Sequence, residues 1–305
     1  MMDITKLAMA TSKFYLFIRN PTNISHFFHQ LSFNSKFSLE ITRKMKSKEE
    51  YCIDVSVFTI IHIGSWNKMK QTVYITGADR GLGLALTEVF LKSNFKVFAG
   101  RYMNDWTELD ELKKEFGEDL DIVSLDVTDQ KSVDEVAKYI EKNAGQLDIL
   151  INNAAIYKDR SEDIFGEFNY EDMMKLFDTN VFGPLRVSKS VVPLLMKGNR
   201  KILANISSEA ASLTDSWRKK EYGYCMSKSA LNMQLTILQN QLKEFGVKVL
   251  AFHPGYVRTY IFGEFNPNAT IDAIESATGI KEQILKAPAI EEHMYIDYQG
   301  NKLNW

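Results

Sequence analysis

The sequence is poor in cysteine and has almost no excess of charge of either sign. Its two cysteines, Cys52 and Cys225, lie far apart in the 305 residues, so they form neither a disulfide framework nor a CxxC redox or metal pair. This pattern favours a reducing compartment, and we expect a cytoplasmic protein. The formal net charge is −2 at pH 7, without the clustered basic character of proteins that bind nucleic acid. We therefore expect no nucleic-acid partner.

Long apolar runs and metal-ligand motifs are also lacking. The longest apolar run near the start, VSVFTIIHIG at residues 55–64, is about half the length that a membrane-spanning helix needs. No positively charged segment leads into an apolar core with a small-residue cleavage site, so a secretory signal is not expected. The five histidines show no HExxH or similar spacing. We expect no membrane partner and no metal site.

Residues 1–68 differ in charge from the rest of the chain. They hold nine Lys/Arg and five Asp/Glu, whereas the remainder is acidic overall. They carry no glycine motif, and MKQTVYITG makes Met69 a natural beginning for a domain. We predict that residues 1–68 are an extension, poorly ordered or not part of the core, and that residues 69–305 form a single domain. The extension could be an upstream translated stretch, a targeting segment or a packed appendage, and we favour the first.

From residue 72 onward, short β-branched runs alternate with amphipathic helical patterns. Such alternation is typical of βαβ units and a parallel sheet. It predicts an α/β fold, a Rossmann-type, doubly wound, seven-stranded parallel sheet flanked by helices. The predicted strands cover residues 72–76, 96–100, 121–126, 148–152, 201–207, 247–253 and 294–298.

Between the strands, apolar residues recur at helical spacing. One such stripe consists of Trp106, Leu109, Leu112 and Phe116, and we expect its members in the core. Asp105 and Asp129 precede helical segments and are the expected N-caps. Glycines lie where three helices are expected to end, at Gly117, Gly145 and Gly246.

The stretch TGADRGLG, residues 76–83, follows the first strand of this pattern and opens its first helix. Glycines let a backbone turn tightly and approach a ligand, and the N-terminus of a helix attracts anions. The glycine pattern alone leaves an ordinary strand-to-helix turn equally possible. Its position in a doubly wound sheet, where ligands bind at the carboxyl ends of the strands, favours a dinucleotide site.

Tyr224 and Lys228 are four residues apart at the start of a predicted helix whose apolar stripe continues through Leu231 and Leu235. Both side chains therefore project from one helix face. A tyrosine ordinarily has a pKa of about 10, and a nearby ammonium favours the phenolate. We expect Lys228 to lower the pKa of Tyr224 toward neutral pH, which suits a general acid/base. For an isolated YxxxK match, a buried tyrosine beside a helical lysine is the alternative.

Five motifs occur in one order along the chain: TGxxxGxG, NNAA at residues 152–155, Asn180 in DTNVFG, NISS at 205–208 with YCMSK at 224–228, and PGYVRT at 254–259. In this the chain resembles the short-chain dehydrogenase/reductase family over about residues 70–305. Its short closing segment, ending YIDYQGNKLNW, resembles the C-signal and sniffer-type carbonyl reductase branch.

The resemblance implies a catalytic set of Asn180, Ser208, Tyr224 and Lys228. Tyr224 would be the general acid/base, Ser208 would orient the carbonyl, and Lys228 would also hold the nicotinamide ribose. Asn180 would support a water-linked proton path to Lys228. Ser207 competes with Ser208, and we prefer the second serine of NISS.

The implied reaction is the NADPH-dependent reduction of a small or medium carbonyl compound by hydride transfer, reversible as alcohol oxidation. The alternative is an NADP(H)-binding sensor or signalling protein with little turnover. A sensor would tend to lose the tyrosine or the lysine, and this chain has both. The natural substrate, the physiological direction and the choice between monomer and homo-oligomer stay open.

Basic residues indicate which nicotinamide cofactor is used. Arg101 directly follows the second predicted strand, at the place where family members that use NAD carry an acidic residue, and Arg80 precedes Gly81. We expect NADP(H) to be preferred over NAD(H). The resemblance implies cofactor contacts from Thr76, Gly77, Arg80, Gly81, Leu82, Gly83, Arg101, Asp126, Val127, Asn153, Ala154, Tyr224, Lys228, Pro254, Gly255, Val257 and Thr259.

The rim of the site is less well defined by the sequence. The gap between Ser208 and Tyr224 is longer than is usual in the family, with SLTDSWRKKEYG as a polar insertion at the rim. We expect four side chains to approach the substrate pocket, those of Tyr157, Glu209, Tyr256 and Tyr260.

Overall fold

The computed structural model describes residues 14–18, 38–45, 51–58, 70–158, 163–287 and 294–305. The chain divides into two compact units, Met1–Lys68 and Met69–Trp305. The first unit contains β1 (Phe14–Ile18), β2 (Ser38–Met45) and β3 (Tyr51–Phe58). These strands form an antiparallel sheet with β3 in the centre. That residues 1–68 are an extension outside the core stays a prediction.

The second unit is built on a seven-stranded parallel sheet in the order β10-β9-β8-β7-β4-β5-β6. The expected fold class is confirmed, and each strand lies within two residues of its predicted bounds. The strands are β4 (Thr72–Ile75), β5 (Lys96–Arg101), β6 (Leu120–Ser124), β7 (Ile149–Asn152), β8 (Ile202–Ile206), β9 (Lys248–His253) and β10 (Met294–Asp297).

Helices cover both faces of this sheet. A π-helical segment, Asp178–Phe182, joins the fourth helix to the fifth. Within the described residues, no helix is long and apolar enough to cross a membrane. The helices are α1 (Gly81–Lys92), α2 (Glu108–Phe116), α3 (Gln130–Ala144), α4 (Tyr170–Phe177), α5 (Gly183–Leu195), α6 (Tyr222–Leu242) and α7 (Ala273–Lys286).

The strands carry apolar residues on both faces because each face packs on helices. In β4, Val73 and Ile75 join one buried cluster with residues of α1 and α7, and Tyr74 joins the other with residues of α3, α5 and α6. Chain order reverses between β4 and β7, since β5 and β6 extend the sheet on one side and β7 to β10 on the other. In doubly wound sheets, ligands bind at the carboxyl ends of the strands beside such a switch point.

The expected helix ends are mostly confirmed. Gly117, Gly145 and Gly246 have φ of 52°, 70° and 75° at the ends of helical segments, a region that side chains disfavour. The Asp129 carboxylate caps α3 by accepting from the backbone N of Lys131 at 3.0 Å.

The expectation for the start of α2 is wrong. The helix begins at Glu108 after Thr107, so Asp105 lies too early in the chain to cap it. Trp106 also precedes the helix, and its ring packs against that of Tyr260 with centroids 4.6 Å apart. The other three members of the predicted stripe, Leu109, Leu112 and Phe116, pack against the core from the helix itself.

Candidate active site

The glycine-rich turn between β4 and α1 has a backbone that only glycine fits. Gly77 and Gly81 have φ of +62° and +56°. A Cβ on Gly83 would lie 2.0 Å from the carbonyl oxygen of Gly77. Each glycine of the motif is thus required, two for the turn and one for the close approach of α1 to the turn.

Two other loops pack against this turn. The Asn153 side-chain amide, after β7, donates to the carbonyl oxygens of Thr76 and Gly77 at 3.0 and 2.9 Å. The Thr76 hydroxyl accepts from the backbone N of Asn153 and of Ala154, each at 3.0 Å. From the loop after β9, Thr259 atoms lie 3.2 and 3.3 Å from where a Cβ on Gly81 would stand. The structure therefore brings together three of the predicted cofactor-binding segments.

The turn fits a dinucleotide pyrophosphate. Arg80 is the N-cap residue of α1, yet its side chain makes no capping hydrogen bond, and no acidic residue lies in the first turn of the helix. Backbone donors and the positive end of a helix form an anion site. Leu82, the second residue of α1, is buried and helps to anchor the helix in the core.

Both candidate phosphate-binding arginines already contact protein groups. The Arg80 guanidinium lies 5.1 Å from the centroid of the Trp106 ring and 5.5 Å from that of Tyr260. Arg101 ends β5, and its Nη2 lies 2.8 Å from Oδ1 of Asp110 in α2. An anion approaching Arg101 would therefore compete with the Asp110 carboxylate.

The remaining predicted cofactor contacts lie in two loops after β6 and β9. The Asp126 carboxylate accepts from the backbone N and hydroxyl of Thr128 at 2.8 and 2.7 Å, and Val127 packs on Gly183. Residues 254–259 leave β9 through Gly255, which has φ of +83°, and Val257 forms a β-bridge with Ile271. The carbonyl oxygen of Pro254 accepts from the Ser276 hydroxyl at 2.7 Å.

The structure distinguishes the two serines of NISS. The Ser208 side chain hydrogen-bonds the Tyr224 hydroxyl and also accepts from the backbone N of Ala210 at 3.2 Å. The Ser207 hydroxyl instead donates to Oδ1 of Asn232 at 2.7 Å and is buried against α6. Ser208 and Tyr224 therefore present two hydroxyl groups side by side.

Lys228 lies directly below this pair. Its side chain is buried, its Nζ donates to the carbonyl oxygen of Ile206 at 2.9 Å, and Nζ lies 5.8 Å from the centroid of the Tyr224 ring. Burial lowers the pKa of Lys228 to about 8, because a dry environment disfavours the charged form.

Burial also raises the pKa of Tyr224 to about 12, against the opposing effects of the hydrogen bond with Ser208 and the Arg218 charge. The expectation that Lys228 brings this pKa down toward neutral is therefore wrong, because desolvation of the phenol outweighs the groups that favour the phenolate. Tyr224 is protonated at neutral pH. That state suits a proton donor.

Asn180 lies in the π-helical segment and binds the loop after β7. Its Oδ1 accepts from the backbone N of Ile156 at 2.9 Å, and its Nδ2 donates to the Ile156 carbonyl oxygen at 3.0 Å. Nδ2 also donates to the hydroxyl of Ser227 at 3.3 Å, and Ser227 directly precedes Lys228. Asn180 is buried and links the backbone of this loop to the start of α6.

Tyr295 was not singled out from the sequence, and it supports Ser208 from β10. Its hydroxyl donates to the Ser208 carbonyl oxygen, and its ring lies 5.1 Å from that of Trp305. The Trp305 carbonyl oxygen accepts from the backbone N and hydroxyl of Thr214 at 3.2 and 2.8 Å. The last strand and the residues after it therefore hold the segment that follows Ser208.

The insertion between Ser208 and Tyr224 is not confined to the rim. Arg218 turns inward, and its guanidinium contacts Glu209 and Glu221 at 2.6 to 2.7 Å. Glu209 was expected near the pocket, whereas Arg218 and Glu221 were not. Arg218 sits in the polar run DSWRKKE, and nothing in that run separates an inward arginine from a solvated one.

Aromatic side chains line the same side of the site. The Tyr157 ring lies 4.8 Å from the rings of both Tyr224 and Phe262, so Tyr157 reaches the pocket as expected. Tyr260 instead packs with Trp106 beside Arg80, on the side of the glycine-rich turn. Tyr256 is about half exposed, and its hydroxyl accepts from Asn266 at 2.7 Å.

A parallel sheet with a glycine-rich turn at its switch point and a paired serine and tyrosine above a buried lysine is the architecture of a nucleotide-dependent oxidoreductase. The sequence profile of the short chain dehydrogenase family matches residues 71–270. The chain belongs to the short-chain dehydrogenase/reductase family, and it is an oxidoreductase.

Individual relatives agree with the expected branch. C-signal of Myxococcus xanthus is 34% identical over 161 residues, which cover 53% of this chain and 94% of C-signal. Carbonyl reductase Sniffer of D. melanogaster matches with a TM-score of 0.71 at 26% identity, covering 78% of this chain and all of that one. The NADPH-bound carbonyl reductase from chicken fatty liver matches with a TM-score of 0.67 at 30% identity, covering 77% and 99%.

Proposed function

We propose that this protein reduces a small or medium carbonyl compound with NADPH, and that Tyr224 is the proton donor. The observation that carries the proposal is the hydrogen bond between Tyr224 and Ser208 above the buried Lys228. These three side chains lie at the carboxyl end of the sheet, where the glycine-rich turn can hold a dinucleotide. Carbonyl reductases are among the structures that the chain resembles.

The two hydroxyl groups match what the reaction requires. When bound, the reduced nicotinamide supplies a hydride to the carbonyl carbon. Negative charge then develops on the carbonyl oxygen, which needs a proton and a second hydrogen-bond donor at about 3 Å. Tyr224, protonated at neutral pH, gives the proton, and Ser208 donates the second hydrogen bond.

Lys228 and Asn180 support this pair. The Lys228 ammonium lies close enough to the Tyr224 ring to stabilise a developing phenolate, and it would hold the ribose next to the nicotinamide. Asn180 fixes the loop after β7 beside the start of α6. In this position Asn180 would support a water-linked proton path to Lys228.

The cofactor is proposed to be NADP(H) in preference to NAD(H). Thr76, Gly77 and the N-terminus of α1 would hold the pyrophosphate, and Arg80 and Arg101 would bind the 2′-phosphate. A basic group at each of these positions provides charge-assisted hydrogen bonds to phosphate. The NADPH found in the chicken carbonyl reductase supports the same choice. We place the reaction in the cytoplasm because the chain has only two cysteines.

The test is the variant Tyr224→Phe, assayed by NADPH oxidation with a panel of aldehydes, ketones and quinones. We expect turnover to fall by at least about a hundredfold, since general acid catalysis contributes that much or more. NADPH affinity, measured by fluorescence titration, should change little. Substantial residual turnover would contradict the assignment of Tyr224. Tight NADPH binding by the wild type without turnover on any carbonyl compound would favour a sensor.

A further inference from the structure

Three charged side chains form a compact cluster beside the catalytic hydroxyl groups. The Arg218 guanidinium bonds both carboxylate oxygens of Glu209, with Nη1–Oε2 and Nη2–Oε1 distances of 2.7 and 2.6 Å. Its Nε donates to Oε2 of Glu221 at 2.7 Å. The Arg218 side chain is only 16% exposed. We call Glu209, Arg218 and Glu221 the charge cluster.

The charge cluster adjoins the reacting groups through both of its carboxylates. Glu209 directly follows Ser208, and Glu221 directly precedes α6, which carries Tyr224. The Tyr157 hydroxyl donates to Oε1 of Glu221 at 2.7 Å, and the Tyr157 ring packs on that of Tyr224. The charges of Arg218 and Glu209 both act on the Tyr224 phenol. A substrate that reaches Tyr224 and Ser208 therefore lies near the cluster.

The charge cluster carries one negative charge in excess. The Arg218 hydrogen bonds hold the pKa of Glu209 below its ordinary value, and the bond to Glu209 raises the pKa of Arg218. Two carboxylates, those of Glu209 and Glu221, face one guanidinium. The bidentate contact occupies the Arg218 edge that would otherwise bind an incoming carboxylate.

Neighbouring charged groups do not cancel this excess at the pocket. Burial lowers the pKa of His253, which accepts from the backbone N of Glu209, so its imidazole is neutral at pH 7. Lys219 and Lys220 of the same loop are exposed and are screened by solvent. Lys228 forms no ion pair with either carboxylate of the cluster, and its Nζ donates to the Ile206 carbonyl oxygen at 2.9 Å.

We propose that the charge cluster determines substrate specificity: the pocket accepts neutral and cationic carbonyl compounds and discriminates against anionic ones. This rests on the proposed carbonyl reduction. The part of a substrate remote from its carbonyl group meets the cluster together with the Tyr157 and Phe262 rings. An anionic substituent there is repelled by the excess carboxylate, whereas an amide or an amidinium is not.

The experiment compares three aldehydes of nearly equal shape, namely 4-formylbenzoate, 4-formylbenzamide and 4-formylbenzamidine. They carry charges of −1, 0 and +1 at the same position. We expect the wild-type kcat/KM for the amide to exceed that for the carboxylate by at least tenfold, and the amidine to be reduced at least as efficiently as the amide. The ratio of amide to carboxylate is the readout, because a general loss of structure lowers both values together.

Variants of the charge cluster should move this ratio in opposite directions. Glu209→Gln removes the excess negative charge and should lower the ratio by at least threefold. Arg218→Met leaves two carboxylates unbalanced and should raise it. Glu221→Gln is the second neutralising variant, should the first fold poorly. Arg200→Met is the matched control. Arg200 is a part-buried arginine whose Nε donates to the Gln71 side chain at 2.8 Å, near the opposite ends of the strands. The ratio of amide to carboxylate in this variant should equal that of the wild type.

Two results would overturn the inference about charge specificity and leave the proposed carbonyl reduction intact. One is equal kcat/KM for the carboxylate and the amide in the wild type. The other is a ratio that stays constant in both neutralising variants. Failure to reduce any of the three aldehydes would overturn the proposed carbonyl reduction and the inference with it, so the two failures are distinguishable.

Discussion

At the scale of the residue, Lys228 is needed for the proposed reaction but lowers the stability of the folded protein. Its ammonium is buried and donates to the Ile206 carbonyl oxygen, and burial lowers its pKa from 10.5 to about 8. Below pH 8 the folded protein contains a charged ammonium that has lost its hydration. In the unfolded chain this ammonium stays hydrated, so the lysine required by the proposed mechanism destabilises the fold at neutral pH.

We predict that Lys228→Met abolishes carbonyl reduction but raises the free energy of unfolding at pH 7 by about 1 to 3 kcal/mol, since the lowered pKa corresponds to about 1.4 kcal/mol per unit. Between pH 8 and 10.5 the folded wild type loses the proton that the unfolded chain retains. The stability contribution of Lys228 therefore rises with pH in this window, and the advantage of the variant shrinks.

Chemical denaturation at pH 7 and pH 9.5 checks both parts of this prediction. The exposed Lys142→Met is the control, and its stability difference from the wild type should be small and independent of pH. A Lys228→Met protein that is less stable than the wild type at pH 7 would show that the bond to Ile206 outweighs the desolvation of the ammonium.

Arg101 gives a second prediction at this scale. Arg101→Ala should weaken NADPH binding at least tenfold more than NADH binding, since charge-assisted bonds to a phosphate contribute about 1.5 to 3 kcal/mol. Because the Asp110 carboxylate forms an ion pair with Nη2 of the guanidinium, Asp110→Asn should act in the opposite direction and tighten NADPH binding relative to NADH. Fluorescence titration of both cofactors measures the two ratios. Equal losses for NADPH and NADH in Arg101→Ala would identify a structural arginine.

At the scale of the element, one buried carboxylate ties together the amino ends of three strands. Asp148, just before β7, has no exposed surface. Its Oδ2 accepts from the backbone N of Thr72 in β4 at 2.8 Å, and its Oδ1 accepts from the backbone N of Asn199, before β8, at 2.7 Å. Asp148 thus aligns the central strands at their amino ends, opposite the candidate site.

We predict that Asp148→Ala lowers the free energy of unfolding by about 3 kcal/mol, because it leaves buried backbone donors without partners. Asp129→Ala is the comparison. Asp129 caps α3 at an exposed position, so its loss should cost about 1 kcal/mol. Urea denaturation measures both values, and equal losses in the two variants would show that the buried donors find other partners.

The elements themselves are largely predictable from the sequence. Buried parallel strands need runs of β-branched and aliphatic residues, so β4, β7 and β9 are visible in TVYI, ILIN and KVLAFH. Glycine at a left-handed position marks a helix end because other residues avoid it. Asp105 fails as a cap because the turn before α2 is two residues longer than the pattern indicates, and helix starts depend on such local geometry.

Contacts between distant segments are what the sequence does not reveal. Arg218 turns inward only because the fold places Glu209 and Glu221 on either side of it, with Glu221 in a left-handed conformation at φ of 68°. Tyr295 reaches Ser208 across 87 residues of sequence, through the pairing of β10 with β9. The raised pKa of Tyr224 also depends on such contacts, because segments distant in sequence bury the phenol and exclude water from it.

At the scale of the whole molecule, all described residues of the candidate site lie in the unit Met69–Trp305. Both buried clusters of the sheet are also formed by residues of that unit. The division between the units falls where the charge pattern of the sequence changes. The unit Met69–Trp305 thus contains its own core, the glycine-rich turn and the side chains proposed to be catalytic.

We therefore predict that a fragment of residues 69–305 folds and reduces carbonyl compounds as efficiently as the full chain. Each element that positions Ser208, Tyr224 and Lys228 is present in the fragment, so kcat/KM and NADPH affinity should match those of the full chain. Thermal unfolding and NADPH oxidation, measured on both proteins in one buffer, check this. An insoluble fragment, or one that melts several degrees below the full chain, would show that residues 1–68 stabilise the unit Met69–Trp305 and are more than an extension.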